Sequence, residues 1–594
     1  MTTRSTRSPR RRTVVALAVV LVVVIGFTIR LVDIQVVNAR EHVEDSLSLG
    51  LAGERTLYGS RGEIVDTNGD TLASSVLKYD AIFDPSNVNS ITRTDASGDK
   101  VTVTWPELAA EIAAITGQSA DDVQKVVADA TAANPGSQYA PLIKGLSTDQ
   151  YQRLQALNIP FLYFDTHPAR TYPDGAVAGN LIGFMGTDGP LAGLEQYDNS
   201  CLTETNGKVT FQRGKDGVTI PGTAVEQPAV NGGTLQLTID RDLQWYMQQL
   251  IAEQAQNVGA KSGTITVVEV STGKVRAMAE WPTVDPNNID ATAPDDRYSR
   301  IFSGGFEPGS TFKALTAAAA IDSGVATPDT VVSAASKEKM PNGATVRDPF
   351  THPTNNYTLT GVLIDSSNVG ISKIGDLMSD QTRYDYLKKF GIGTGGTIDF
   401  GPDKAVGELR DPSQWDDQTH YNTNFGQGLT TNISELVGAY QTIANGGVRK
   451  PLSLVEGCTA ADGTVSDVPD TTGTQVISSD AASQVSLMLE NVATQGTLAK
   501  QIAIPGYRLA IKTGTGEKPD GNGGYKVGAY YTTMIGFAPA DDPQYVVAVT
   551  LDEPSTVKSS AANAPAFQKA MTQVLKTYRV MPSDSTTPEL PKFG

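Results

Sequence analysis

The hydrophobic pattern opens with an unbroken apolar run from Thr13 to Ile29, flanked by Arg12 and Arg30. Seventeen residues at about 1.5 Å each give roughly 26 Å, a short membrane span if both arginines snorkel. Residues 31–57 then show helical character as a juxtamembrane segment, and Asn68-Gly69 between apolar flanks predicts a hairpin after Arg61-Gly62-Glu63-Ile64. Residues 104–158 read as three short helices, with Ser119/Asp122 and Ser147/Gln150 as capping pairs. A Gly- and Pro-containing stretch near 214–233 marks a domain boundary. Beyond it, Leu235–Asp240 alternates like a strand leading into a helix, and residues 263–270 and 274–281 form a strand pair joined at Ser271-Thr272-Gly273. A helix follows Phe425-Gly426-Gln427-Gly428, and 459–475 reads as an acidic loop. Arg508 to Lys512 alternates as a strand that carries Lys512 to its end, and Gly516 to Gly528 reads as a glycine-rich mobile segment. Thr533–Ala538 and Tyr545–Asp552 are expected as adjacent antiparallel strands. Phe567, Met571, Val574, Leu575 and Tyr578 fall on one face of a helix over 564–579, ahead of a disordered tail from Pro582.

At 594 residues the chain exceeds one ordinary core, so two or three domains are expected. The formal net charge is −18, although Arg4, Arg7, Arg10, Arg11 and Arg12 precede the apolar run without an acid among them. The remainder is therefore more acidic still, which argues against a nucleic-acid partner and suits solubility. The arginines place the N-terminus in the cytoplasm and the rest outside. A cleaved signal peptide is the competing reading, because Val37-Asn38-Ala39 loosely resembles a cleavage site, but the apolar run exceeds the usual h-region. Cys201 and Cys458 could form one disulfide, and their spacing says nothing about geometry. The four histidines (His42, His167, His352, His420) show no metal spacing and flank no serine nucleophile, so no metal or cofactor is expected and a Ser-His-Asp triad is disfavoured.

The chemistry centres on Glu307-Pro308-Gly309-Ser310-Thr311-Phe312-Lys313, where a turn leads into an alanine-rich helix ending near Gly324. Ser310 then lies in the first helical turn, and Lys313 on the same face within reach of its hydroxyl. A buried lysine can accept that proton, since desolvation lowers its pKa. Alone, Ser-x-x-Lys is weak. Ser366-Ser367-Asn368 and Lys512-Thr513-Gly514-Thr515 follow in order, completing the Ser-x-x-Lys, Ser-x-Asn and Lys-Thr-Gly set of serine penicillin-interacting enzymes.

On these motifs, with Arg61-Gly62-Glu63-Ile64, Arg170-Thr171-Tyr172-Pro173, Gly193-Leu194-Glu195 and Phe425–Gly428, the chain resembles the class B penicillin-binding proteins. These are monofunctional, membrane-anchored transpeptidases of bacterial cell walls. The resemblance implies an α+β fold: a basic tail (1–12), an anchor (13–30), an elongated pedestal (31–231), a transpeptidase domain with an antiparallel sheet sandwiched by helices (232–580), and the tail (581–594). It implies that Ser310 attacks the penultimate D-alanine carbonyl of a stem peptide and that Lys313 accepts its proton. Ser366 would relay a proton to the leaving amine, and Asn368 would hydrogen-bond Lys313 or the substrate amide. Lys512 and Thr513 would hold the substrate carboxylate, with Gly514 allowing close approach, and the N–H groups of Ser310 and Thr515 would form the oxyanion hole. β-Lactams should acylate Ser310. Length and the lack of C-terminal repeats look most like the septal, cell-division branch, with elongation left open. A SEDS-type membrane polymerase and divisome proteins are the partners that the family implies. Two rivals stand beside this reading: a β-lactamase or D,D-carboxypeptidase on the same fold, and a penicillin-binding scaffold or sensor.

Overall fold

The apolar run forms the helix Pro9–Val32, and Thr13–Val32 is long and apolar enough to cross a membrane and wholly exposed. The computed structural model describes residues 9–33, 37, 52–94, 98–214, 219–398, 400–401, 406–522 and 524–594, with side chains from Thr13 onward. The arginine side chains of the basic tail therefore lie outside the described residues, as does most of the juxtamembrane segment. Its end, Ala52–Leu57, is a strand and not helical. Its partner in the register, Gly207–Gln212, lies some 150 residues away, beyond the reach of local pattern.

The described chain divides into two compact units, Met1–Ser60 with Glu204–Asn231, and Arg61–Thr203 with Gly232–Gly594. The first carries the long helix and a three-stranded antiparallel sheet of Ala52–Leu57, Gly207–Gln212 and Val225–Gln227.

In the second, a seven-stranded sheet runs Val465–Ser466, Val455–Thr459, Thr234–Leu237, Ile64–Val65, Thr71–Phe83 and Ala140–Leu146, with Leu162–Thr171 also paired to Thr71–Phe83. The expected hairpin turns at Asn68-Gly69, where Gly69 takes φ 88° and Asp66 Oδ1 accepts from the N–H groups of Asn68 and Asp70. The three expected helices are Trp105–Thr116, Ala120–Ala133 and Thr148–Ala156, packing around Phe83, Leu108, Ile112 and Phe161. Ser119 caps Asp122 N, and Ser147 with Gln150 forms a reciprocal capping box. Glu195, fully buried, accepts from Arg61 Nε at 2.7 Å, Arg170 Nε at 2.6 Å and the Tyr172 hydroxyl at 3.3 Å. Cys201 and Cys458 are joined as a disulfide across 257 residues.

The second sheet has five antiparallel strands in the order Val275–Trp281, Ser262–Glu269, Tyr545–Asp552, Tyr525–Ala538 and Ala510–Pro519. It is sandwiched by helices, among them Arg241–Val258, Ile433–Ala444 and Ala564–Thr577, the last burying Phe567, Met571, Val574 and Leu575. The strand carrying Lys512 does not end there but continues to Pro519, and the segment expected to be mobile forms hairpin arms pairing Gly516 with Tyr531. Gly514 and Gly516 look like breakers for a different reason. A Cβ there would lie 2.6 Å from Pro308 O and 2.1 Å from Glu307 O, so close backbone packing demands glycine. The tail expected as disordered is likewise bonded: Thr358 Oγ1 donates to Pro591 O at 2.6 Å, and Leu590 N to Asn491 Oδ1 at 2.9 Å. These are side chain–backbone contacts to distant partners, which composition does not register.

Candidate active site

Gly309 sets the geometry at the nucleophile. Its φ of 56° suits glycine, a Cβ would sit 2.9 Å from Thr515 O, and its N–H donates to Gly426 O at 2.9 Å. Gly309–Phe312 is a single 3-10 turn that runs straight into the helix Lys313–Asp322, so Ser310 precedes the α-helix rather than lying in its first turn. The turn is braced by Thr311 Oγ1 donating to Pro308 O and by the Tyr440 hydroxyl donating to Thr311 O, both at 2.8 Å. Lys313, fully buried, places Nζ 2.9 Å from Ser310 Oγ.

The other two motifs meet at the same spot. Ser366, in the left-handed region at φ 56°, accepts at Oγ from Lys313 Nζ at 3.1 Å and from Lys512 Nζ at 3.0 Å, and its carbonyl also accepts from Lys313. A non-glycine residue in that region is strained, and the strain here aims one hydroxyl at two buried ammonium groups. Lys512 also donates to Thr513 O at 3.2 Å. Burial, and then the charge of Lys512, pushes the Lys313 ammonium well below the usual lysine value, while Asp348 works the other way. Burial brings Lys512 down to about 7. Lys313 is thus biased toward the neutral form that can take a proton.

Asn368 is placed differently from the expected bond to Lys313. Its Nδ2 donates to Arg347 O at 2.9 Å, and its side chain carries no bond to Lys313 among the described contacts. The middle residue, Ser367, is the structural one. It is buried, caps the helix Asn368–Gly375 by accepting from Gly370 N, and donates to Asp348 Oδ2 at 2.7 Å. Asp348 escaped sequence reasoning. It also accepts from Val369 N at 2.9 Å and contacts His352 Nε2 at 2.8 Å, fixing the turn that carries Ser366. Nothing in Arg347-Asp348-Pro349 signals this role locally.

Thr513 and Thr515 lie half-buried on the face of their strand opposite Lys512, Gly514 and Gly516. The Phe425–Gly428 turn braces the nucleophile turn through Gly426 and Gly428. Beyond the Gly426 contact, Gly428 N donates to Glu307 Oε1 at 2.9 Å, and the Tyr525 hydroxyl reaches both Glu307 oxygens at 3.1 Å. Burial raises the Glu307 carboxyl to about 7.

A family model described as the penicillin binding protein transpeptidase domain matches residues 263–572, just over half of the chain. The chain belongs to the penicillin-binding protein transpeptidase family. A second model, the penicillin-binding protein dimerisation domain, matches residues 56–190. Penicillin-binding protein PbpB of Mycolicibacterium smegmatis is 33% identical over 89% of this chain and 85% of its own length. Peptidoglycan D,D-transpeptidase FtsI of Escherichia coli K12 is 30% identical over 90% of this chain and 86% of its own. Among solved structures, penicillin binding protein 3 of Mycobacterium tuberculosis, complexed with aztreonam, superposes with a TM-score of 0.68 at 27% identity, covering 91% of this chain and all of that one. The resemblance read from the motifs is thus the family found, and the α+β transpeptidase fold is the fold observed.

Proposed function

We propose that this penicillin-binding protein is a serine-type peptidoglycan D,D-transpeptidase of septal wall synthesis, acylated on Ser310 and open to β-lactams. The carrying observation is convergence: Ser310, Lys313, Ser366 and Lys512, from three distant segments, share one chain of contacts of 2.9–3.1 Å. Neutral Lys313 accepts the Ser310 proton as Oγ bonds to the penultimate D-alanine carbonyl carbon. The N–H groups of Ser310 and Thr515 hold the resulting oxyanion. The C–N bond then breaks, and Ser366 passes a proton to the departing D-alanine amine. An amine of a second stem peptide attacks the ester, loses its proton through the same lysine, and returns Ser310 to the hydroxyl form. Lys512 and Thr513 hold the substrate carboxylate, and Gly514 keeps the strand against the nucleophile turn. Asn368 addresses the substrate amide rather than Lys313.

FtsI bears the transpeptidase name among the relatives, and the tuberculosis protein was solved with a β-lactam. The anchor 13–30 carries the pedestal 31–231 and the catalytic domain 232–580 outside the cytoplasm. A Cys201–Cys458 disulfide fits an oxidising compartment. Glycan polymerisation comes from a SEDS-type partner at the divisome. Mass mapping of a fluorescent-penicillin adduct tests the assignment. The adduct is expected on Ser310, absent from Ser310→Ala, and slow to hydrolyse. Labelling elsewhere would refute the site, and rapid turnover would make the protein a hydrolase.

A further inference from the structure

The strand Ala510–Pro519 is the outermost of its sheet, so one of its edges has no strand partner among the described residues. An extended peptide can add to such an edge, with main-chain hydrogen bonds setting register and alternate side chains reading sequence. Thr513, Thr515 and Glu517 share the half-buried face, and Lys512, Gly514 and Gly516 the buried one. A donor peptide with its carboxylate at Lys512 and Thr513 and its scissile carbonyl at Thr515 runs antiparallel to the strand. Its next residue toward the N-terminus lies about 3.4 Å further on, level with Gly516 and Glu517.

Glu517 is prepared for a partner. Gln427 Nε2 donates to its Oε2 at 3.1 Å, and no lysine or arginine among the described residues forms an ion pair with it. The adjacent Lys518 is turned away, paired with Asp552 at 2.6 Å and Glu553 at 2.9 Å. Glu307 is committed to Gly428 N and Tyr525 and so serves the scaffold. We propose that Glu517 is a specificity residue that takes the ammonium of the amine-bearing side chain preceding D-Ala-D-Ala in the donor stem. Cross-linking needs the amine only on the acceptor, but where every stem can serve as acceptor, a stem acting as donor carries the same group. The inference rests on the transpeptidase reading given above and adds which part of the donor the edge strand recognises.

Two depsipeptide donors separate the possibilities: Nα-acetyl-Lys-D-Ala-D-lactate, with a free ε-ammonium, and its Nα,Nε-diacetyl counterpart. The full-length enzyme should prefer the first by roughly three- to tenfold in kcat/KM for acylation, as a half-exposed charge pair allows. Glu517→Gln should bring that ratio to about one, and Glu517→Lys should invert it. The ratio is internal to each preparation, so partial misfolding of a variant does not move it. Should both variants fail to fold, the wild-type preference must still shrink when salt is raised to about 0.5 M, since screening weakens the pair. A preference kept in Glu517→Gln, or a wild-type ratio of one, overturns the inference. Failure of the underlying reading shows separately, as a wild-type enzyme whose Ser310 takes no penicillin.

Discussion

Replacing Lys512 by Met should separate activity from stability in opposite directions. The side chain is fully buried, and burial lowers its ammonium from 10.5 to about 7. At about 1.4 kcal/mol per unit, that displacement corresponds to about 5 kcal/mol of unfavourable free energy for the charged form. The sign follows from linkage. Between the folded and unfolded values the unfolded chain holds more protons, so the penalty is fully present below pH 7 and fades as pH rises toward 10.5. Methionine removes the charge and keeps most of the volume, but takes one of two donors from Ser366 Oγ, which keeps Lys313, and the Lys512 donor from Thr513 O, which costs about 1–3 kcal/mol. The variant should therefore be more stable than wild type by about 2–4 kcal/mol at pH 6.5. That gain should vanish or reverse by about pH 9.5, as read by differential scanning fluorimetry in matched buffers. In the same samples, acylation by fluorescent penicillin should fall by about 10²–10³-fold, the scale of a lost charge-assisted contact in a preorganised site. A melting temperature that drops equally at both pH values would mean the buried ammonium is a net stabiliser, and the reasoning fails.

Two further outcomes follow from other buried groups. The Glu307 carboxyl stands at about 7 against an ordinary 4.5, so the folded protein holds the extra proton between those values and loses stability as pH rises through that window. Glu307→Gln should flatten the slope, removing about 3 kcal/mol of pH dependence measured by urea unfolding between pH 4.5 and 7.5. Glu195→Ala should leave the Arg61 and Arg170 guanidinium groups buried without their carboxylate. A loss of about 3–5 kcal/mol is expected in the same assay, and a loss below about 1 kcal/mol would contradict the clamp.

What could be read ahead of the structure was whatever local spacing governs. Ser310 and Lys313 are three positions apart, the helix caps obey short rules, and the short apolar, valine-rich run of 545–552 marks a strand irrespective of its neighbours. The role of Asp348 was invisible because it depends on a turn 19–21 residues away. Gly516 misled because glycine signals both looseness and tight approach, and only the Glu307 backbone distinguishes the two. Ser367 stands at the variable position of Ser-x-Asn, yet it is the cap that orients its neighbours. The strand Ala52–Leu57 failed for the same reason as the tail: each is held by partners far along the chain.

The seven-stranded sheet has a consequence for biogenesis. Ile64–Val65 finds its parallel neighbour only when Thr234–Leu237 emerges, about 170 residues later, and the far flank arrives only with Val455–Thr459 and Val465–Ser466. A nascent chain halted near residue 231 would present an incomplete sheet and a lone Cys201 thiol, an invitation to quality-control proteases and to intermolecular pairing. Once residue 458 has emerged the thiol has a single possible mate within the polypeptide, Cys458, so oxidative maturation needs no isomerase to choose among bridges.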